Sequence, residues 1–131
     1  MVGAAARWSY QLGRAGFAAL QATRVIVSER SMLASANLPF KTTALSVAGR
    51  ALTKHPNVVG AESGEALSRL YRTPQALNEA AYGAVSRIMS DGVRVARPHN
   101  RIGSIVEYTL DSGIGIRFNA EALDFITFLG R

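Results

Sequence analysis

The sequence predicts an α+β domain in which N-terminal helices pack on a small C-terminal antiparallel β-sheet, a meander. Apolar residues recur at helical spacing up to about residue 91, and from about residue 93 they alternate with polar residues as in a half-buried strand. A hairpin-type connection, Asp111-Ser112-Gly113, separates two of the alternating stretches. With 131 residues, 48% of them hydrophobic, the chain is long enough for one ordinary domain with a core.

The helical half is predicted to contain four helices. The first covers the Ala-rich stretch from about Ala4 to Ala36 and is followed by Pro39. The others are a helix capped by Thr42 or Thr43 and ending at His55, a short helix around Leu67–Tyr71 after a loop over Asn57–Ser63, and a helix from Thr73-Pro74 to Asp91-Gly92. The last is the best marked, because a capping residue followed by proline begins it and glycine follows its end.

The sheet is predicted to be a three-stranded meander. In its first strand Val106, Tyr108 and Leu110 face one side, and Glu107 and Thr109 face the other. The remaining elements are a polar loop over Arg97–Arg101 before this strand, a second strand with Ile114, Ile116 and Phe118 on the apolar side, a turn over Asn119–Ala122, and a third strand over Leu123–Leu129. Three such strands against a helix suffice for a core.

Composition narrows the possible chemistry. The chain has no cysteine, which excludes disulfides, a thiol nucleophile and thiolate metal sites. With only two histidines, no metal site is expected, and the absence of any nucleotide-binding fingerprint gives no reason to expect a cofactor. No apolar run approaches the ~20 residues that cross a bilayer, so no stable membrane insertion is expected. A net charge of +6, dominated by Arg, favours a polyanionic partner.

The two histidines are the candidates for proton transfer near neutral pH. His55 is predicted at the end of a helix, beside Lys54 and one turn from Arg50. It is either a surface histidine that suits the helix dipole or a catalytic group of a metal-free ribonuclease, which needs an acid, a base and cations. His99 falls in the predicted polar loop and is either solvated or functional.

Arg117 interrupts an apolar strand on the face that carries Glu107 and Thr109. One interpretation is an exposed face with a cross-strand salt bridge to Glu107, and the other is a substrate groove in which Arg117 binds the scissile phosphate. Thr127 and Tyr108 offer hydroxyls for the same groove, although both residue types are also ordinary strand formers. A basic approach to the sheet is formed by Arg87, Arg94, Arg97 and Arg101.

Two stretches together resemble a known family. The first is Gly49-Arg50-Ala51-Leu52-x-Lys54-His55-Pro56, and the second runs Arg101-x-Gly103-x-x-Val106-x-Tyr108-x-Leu110, Gly113-x-Gly115-x-Arg117-Phe118 and Phe125-x-x-Phe128-Leu129. In this order they are similar to the C-terminal toxin domains of bacterial polymorphic toxins of the contact-dependent inhibition and Rhs types, in the barnase/EndoU/colicin/RelE-like ribonuclease superfamily. The resemblance covers Thr42 to Leu129.

The resemblance implies an endoribonuclease that cleaves RNA, tRNA in particular, by 2′-hydroxyl attack without a metal, and that is neutralised by a cognate immunity protein. The catalytic residues that it implies are His55 for proton transfer, Arg117 and Arg101 as cations, and Thr127. The expected substrate contacts are Lys54, Arg50, Tyr108 and Arg97. Residues 41–131 would be the toxin domain, and residues 1–40 a helical segment linked to delivery or integral to the domain.

Such a domain is expected to be made as the C-terminal part of an exported bacterial toxin and to act in the cytoplasm of the target cell. Two other functions remain open from the sequence. One is a non-catalytic basic module that binds nucleic acid and shows salt-sensitive affinity. The other is a membrane-active toxin with an inserting front helix, which the spread of Arg7, Arg14 and Arg24 makes less favourable.

Overall fold

A computed structural model of the chain describes residues 24–130. The chain divides into two compact units, Met1–Arg30 and Ser31–Arg131. Residues 24–36 are helical (α1), and the part of the predicted first helix before residue 24 lies outside the described residues. No helix between residues 24 and 130 combines the length and the apolar character needed to cross a membrane.

The described elements confirm the predicted α+β class. After α1 they are α2 (Val47–Lys54), a 3-10 turn (Pro56–Val59), α3 (Gly64–Leu70), α4 (Pro74–Asp91), β1 (Val93–His99), β2 (Gly103–Thr109), β3 (Gly115–Asn119) and β4 (Phe125–Leu129). The strands form one antiparallel sheet in the order β1-β2-β3-β4. The meander is therefore present, with one strand more than predicted.

The additional strand is β1, which takes in Arg97, Pro98 and His99 from the predicted loop. β1 pairs with β2 along its whole length and forms an edge of the sheet. The alternation that begins at Val93-Arg94-Val95 is interrupted at Ala96-Arg97-Pro98, so the second half of β1 carries no strand pattern in the sequence. Pro98 is tolerated there because an edge strand needs hydrogen bonds on one side only.

The start of α2 corrects the predicted cap at Thr42 or Thr43. Ser46 caps this helix, and its Oγ accepts a hydrogen bond from the Gly49 amide at 2.9 Å. Thr43 closes the preceding loop instead, because its hydroxyl donates to the Phe40 carbonyl at 2.7 Å. The predicted end is confirmed: α2 ends at Lys54 and His55 is its C-cap.

Two further boundaries differ from the prediction, and one is confirmed. Residues 57–59 of the loop expected over Asn57–Ser63 belong to the 3-10 turn. Leu123, predicted to begin the last strand, lies in the turn before β4, where its φ is +60°. The beginning of α4 is confirmed, since the Thr73 hydroxyl accepts a hydrogen bond from the Ala76 amide at 3.1 Å.

The core lies between the helices and the inner face of the sheet. α2 contributes Ala48 and Leu52 to it, and α4 contributes an apolar stripe of Leu77, Ala81, Ala84, Val85 and Ile88. The inner face of the sheet supplies Val106, Tyr108, Ile116, Phe118, Phe125 and Phe128. The opposite face carries Glu107, Arg117 and Thr127, together with the apolar Val95 and the buried Ile105.

A β-bulge explains how Phe125 and Phe128 are both buried although they are three residues apart. Phe125 pairs with Phe118 and Thr127 with Arg117, so Ile126 is the extra residue on β4. The extra residue returns Phe125 to the inner face, where its ring lies 5.2 Å from that of Phe128. Bulges also redirect neighbouring side chains, and here the neighbour is Thr127.

Candidate active site

Four cross-strand neighbours form a row on the outer face of the sheet. Val95 of β1 pairs with Glu107 of β2, Glu107 pairs with Arg117 of β3, and Arg117 pairs with Thr127 of β4. Directly paired residues of an antiparallel sheet point to the same face, and neighbouring strands lie about 4.8 Å apart. Arg117 is therefore flanked by a carboxylate on one side and a hydroxyl on the other. We call Glu107, Arg117 and Thr127 the polar row.

Glu107 holds two guanidinium groups at once. Nε of Arg97 donates to its Oε1 at 2.8 Å, and Nε and an Nη of Arg117 lie 2.9 and 2.8 Å from its Oε2. The Glu107 side chain is only 12% exposed, whereas that of Arg97 is 45% exposed. Charge-assisted bonds of this kind fix geometry as well as energy, so Glu107 sets the position of Arg117.

The ionisation of Glu107 follows from these contacts. Partial burial raises the pKa of its carboxyl, but the hydrogen bonds from Arg97 and Arg117 and their positive charges outweigh this effect. The net result is a pKa below the ordinary value of 4.5. Glu107 is therefore ionised at neutral pH.

His55 reaches the other end of the polar row from the end of α2. Its backbone amide still donates to Ala51 at 3.1 Å, which holds the residue on the helix, and its Nε2 lies 3.4 Å from the Thr127 Oγ1. The Thr127 hydroxyl donates to the Phe128 carbonyl at 3.0 Å. A hydroxyl has one proton, so the contact with His55 is satisfied when Nε2 carries a proton and donates to Thr127.

A cavity of about 230 Å³ opens beside this histidine, between α2 and β4. Arg50 and Lys54 of α2 line it together with His55 and Thr127. A larger cavity of about 550 Å³ lies by the 3-10 turn and α4. The smaller cavity is the candidate site, because it adjoins the contact between His55 and Thr127 and the polar row.

The structure brings five of the eight predicted site residues to this region or to the cavity: His55, Arg117, Thr127, Lys54 and Arg50. Arg97 joins them through Glu107. Arg101 lies in the turn between β1 and β2, more than ~13 Å along the strand from Glu107.

The structure does not bring Tyr108 to the site. Tyr108 is 1% exposed and lies on the inner face, where its ring meets that of Phe118 at 6.2 Å. Alternation along β2 places Tyr108 opposite to Glu107, which is the alternation that the sequence already showed.

His99, the other candidate for proton transfer, has a local contact at the end of β1. Its Nδ1 accepts hydrogen bonds from the backbone amides of Arg101 and Ile102, at 3.2 and 3.3 Å. These bonds shape the turn between β1 and β2 and require an unprotonated Nδ1.

Sequence reasoning treated Glu107 only as a possible salt-bridge partner. In the structure Glu107 binds two arginines. The sequence indicated one of the two contacts, because Glu107 lies on the polar side of its strand and Arg117 lies on the polar side of the next strand. The Arg97 contact had no such signal, since β1 was not recognised as a strand.

The arrangement is suited to phosphodiester chemistry. A phosphate over Arg117 would have an ionised carboxylate on one side and an imidazole on the other, and fixed cations stabilise charge that develops on phosphorus. Among residues 24–130 no group of three His, Asp or Glu side chains is placed to hold a metal ion.

The fold and the polar row together define a basic α+β domain whose sheet face holds two arginines on one glutamate. A comparison with known protein families finds a match: the model of the CdiA C-terminal tRNase toxin domain matches residues 33–130. The match covers most of the chain, and the chain therefore belongs to this family, as the resemblance predicted. Neither the curated proteins nor the solved structures contain a match to the chain.

Proposed function

We propose that this domain is an endoribonuclease that cleaves tRNA by attack of a ribose 2′-hydroxyl on the adjacent phosphorus, without a metal ion. One observation carries the proposal: Glu107, Arg117 and the Thr127–His55 pair follow one another across the sheet. Membership of the tRNase toxin family names the substrate class. The order carboxylate, cation, imidazole is the order that an in-line displacement at phosphorus uses.

The reaction forms a bond between the 2′-oxygen and phosphorus and breaks the bond between phosphorus and the 5′-oxygen of the next nucleotide. The 2′-hydroxyl loses a proton and the departing 5′-oxygen gains one, so the products are a 2′,3′-cyclic phosphate and a 5′-hydroxyl. Attacking and leaving oxygens lie on opposite sides of phosphorus in such a displacement. The two proton-transfer groups must therefore flank the phosphate.

His55 gives its proton to the leaving 5′-oxygen. The acting form is the imidazolium, whose Nε2 proton is held by Thr127 and whose Nδ1 proton passes to the leaving oxygen, which leaves a neutral imidazole. Glu107, ionised and on the opposite side of Arg117, accepts the 2′-hydroxyl proton. Substrate phosphate that takes over the contacts of Arg117 would free the Glu107 carboxylate and make it a stronger base.

Arg117 stabilises the charge that develops on the equatorial phosphate oxygens. Its guanidinium is held at the site by Glu107 in the free protein and passes its contacts to the phosphate when substrate binds. Arg97 supplies a second, more exposed cation, and Arg101 in the neighbouring turn adds to the basic approach. Lys54 and Arg50 bind backbone phosphates beyond the scissile one.

The biological setting follows from the family. CdiA C-terminal toxin domains are parts of exported proteins that are delivered into target cells, and they are paired with immunity proteins. We infer that this domain acts in the cytoplasm of the target cell and that a cognate immunity protein blocks it. An acidic partner would suit a basic site, so a small acidic open reading frame directly downstream is the expected neighbour.

Incubation with total tRNA in the presence of a chelator tests the proposal. We expect shortened tRNA carrying 2′,3′-cyclic phosphate ends, with or without cytosolic extract as a source of a host activator. His55→Ala is the matched inactive control. Intact tRNA at high protein concentration under both conditions would refute the nuclease, and salt-sensitive binding without cleavage would identify a non-catalytic module.

A further inference from the structure

The cavity beside His55 has an apolar half that the proposed chemistry does not use. Phe40, Val47 and Ala51 line this half, and Ile126 of the bulge faces it from β4. A cavity for phosphate alone would have no need of an aromatic wall. The cavity is open to solvent and adjoins Thr127, so whatever occupies it lies next to the scissile phosphate of the proposed reaction.

Phe40 is held in place by the loop that precedes α2. Its amide donates to the Leu45 carbonyl at 2.8 Å, and its own carbonyl accepts from the amide and the hydroxyl of Thr43 at 3.1 and 2.7 Å. A bridge between Pro39 and Ser46 closes the loop behind it. The partly exposed ring is therefore fixed at the cavity rather than free to collapse into the core.

Cations surround the same ring. The Lys41 Nζ and the Arg50 guanidinium carbon lie 5.3 and 5.5 Å from the centre of the Phe40 ring. Arg50 is also steadied by a hydrogen bond of 3.1 Å from its Nη to the Thr53 Oγ1. An aromatic ring with basic side chains around it is the combination with which proteins bind unpaired nucleotides, since the ring stacks on the base and the cations meet the backbone.

The charges of the cavity differ from those of the polar row. Arg97 and Arg117 are both paired with Glu107. Arg50 and Lys54 have no carboxylate partner anywhere in the described part of the chain. Their charge is therefore available to a phosphate that flanks the base.

We propose that this cavity is a nucleobase subsite, which takes the base of one nucleotide next to the scissile phosphate in an unpaired stretch of RNA. Phe40 stacks on that base, and Arg50 and Lys54 bind its flanking phosphate. The inference rests on the proposed nuclease function and adds a requirement to it. Only RNA whose base can leave a helical stack is cleaved, because a base inside a duplex cannot enter the cavity.

Binding to a short unpaired RNA that spans the cleavage position tests the subsite, with His55→Ala as the background so that the RNA stays intact. Phe40→Leu keeps the apolar volume and removes the ring. We expect it to weaken binding about tenfold or more, which is the usual effect of losing one stacked base, with an unchanged salt slope. Phe40→Tyr should bind as the background does, and Leu70→Ala, at a 62% exposed position on α3, is the control substitution.

Lys54→Ala should behave differently from Phe40→Leu. Loss of a phosphate contact weakens binding to all sequences alike and reduces the salt slope by about one. A Phe40→Leu protein that lowers the salt slope, or binds with unchanged affinity, would overturn the stacking role.

A second measurement alters the RNA and leaves the protein intact, so it does not depend on the folding of a variant. An abasic residue is placed on either side of the scissile phosphate in turn. One of the two positions should weaken binding as much as Phe40→Leu does, and the two changes together should cost no more than either alone. Full affinity with both abasic RNAs would overturn the subsite.

Failure of the subsite and failure of the nuclease give different results. A protein that cleaves tRNA but is indifferent to Phe40→Leu and to both abasic RNAs is a nuclease without this subsite. A protein that cleaves nothing, yet binds an unpaired oligonucleotide in a way that depends on Phe40, has the subsite without the nuclease.

Discussion

Glu107 organises the polar side chains of the sheet face. Within residues 24–130 it is one of three buried polar residues, and two arginines from two different strands converge on it. Loss of one member of this group is expected to lower the stability of the fold, because a nearly buried charge would then lack its partner. The proposed base and the proposed phosphate-binding cation are thus built as one unit.

Glu107→Gln should lower stability at neutral pH by about 1–3 kcal/mol, since the arginines lose their shared counter-charge. Because the pKa of Glu107 is lowered by folding, its contribution is present above the ordinary value of 4.5 and is lost as pH falls through the lower, folded-state pKa. Unfolding by denaturant at pH 7 and at a series of pH values below 4.5 measures this. The gap in stability between parent and variant should be constant above 4.5 and narrow steadily as the pH falls below it.

Glu121→Gln is the matched control for that measurement, because Glu121 is exposed in the turn before β4. Its effect should be small at all of these pH values. A Glu107→Gln protein that is as stable as the parent at pH 7 would show that the two salt bridges do not organise the face.

Thr127 is expected to act through His55. Thr127→Val keeps the shape of the side chain and removes the oxygen that lies 3.4 Å from Nε2, so the imidazole loses its orienting partner. We expect the cleavage rate to fall about tenfold or more with substrate affinity little changed, and Thr127→Ser to retain activity. Single-turnover rates measured over a range of protein concentrations separate the two effects, and equal rates for Val and Ser would remove Thr127 from the mechanism.

At the scale of elements, α2 is positioned by its close approach to α4. The Asn78 side chain of α4 accepts a hydrogen bond from the Ser46 amide at 2.8 Å and donates to the Ala44 carbonyl at 3.0 Å. Gly49 faces it, and a Cβ at that position would collide with the Asn78 Oδ1. This contact sets the direction of α2 and hence the place of His55 at its end.

Gly49→Ala should therefore destabilise the protein by about 1–3 kcal/mol, as overpacking does, although alanine is the better helix former. Gly83→Ala is the matched control, because Gly83 lies within α4 and a Cβ there meets nothing within 4 Å. That variant should be stabilised by roughly 0.5–1 kcal/mol. Thermal unfolding of both variants gives the sign of each change in stability. A Gly49→Ala protein that is more stable than the parent would contradict the close approach of α2 to α4.

The elements also show what the sequence could and could not reveal. The cap at Thr73-Pro74, the hairpin at Asp111-Ser112-Gly113 and the alternation of β2 depend on neighbours in the chain, and all three were predicted. β1 was missed because its alternation stops after Val95 and Pro98 disfavours a strand, and its pairing with β2 decides its conformation. The bulge at Ile126 was missed because it is defined by register with another strand.

At the scale of the whole molecule, the candidate site combines four strands and the end of a helix. Periodicity placed Arg117 on the polar face, and the family resemblance paired it with His55. Their spatial relation depends on contacts between residues 72 positions apart along the chain, such as that of His55 with Thr127. Local patterns contain no information on such distances.

The division of the chain at residue 40 stays a prediction, and deletion tests it. Met32 and Ala36 are fully buried in the core of the unit Ser31–Arg131, and the Ser35 Oγ accepts a hydrogen bond from the Phe125 amide at 2.8 Å. We therefore expect a fragment of residues 31–131 to unfold cooperatively, and a fragment of residues 41–131 to be less stable by at least ~3 kcal/mol. Equal denaturation midpoints for the two fragments would show that residues 31–40 contribute nothing to the core.

The central claim is that the polar row cleaves RNA. Its most direct test is the single-turnover rate at which the Arg117→Ala protein cleaves tRNA in the presence of a chelator. The control is Arg94→Ala. Arg94 was expected in the basic approach, but it is exposed and pairs with Tyr108 on the opposite face of the sheet. We predict that Arg117→Ala loses at least about a hundredfold in rate while remaining folded, and that Arg94→Ala stays close to the parent. A folded Arg117→Ala protein that cleaves tRNA at the parent rate would contradict the account.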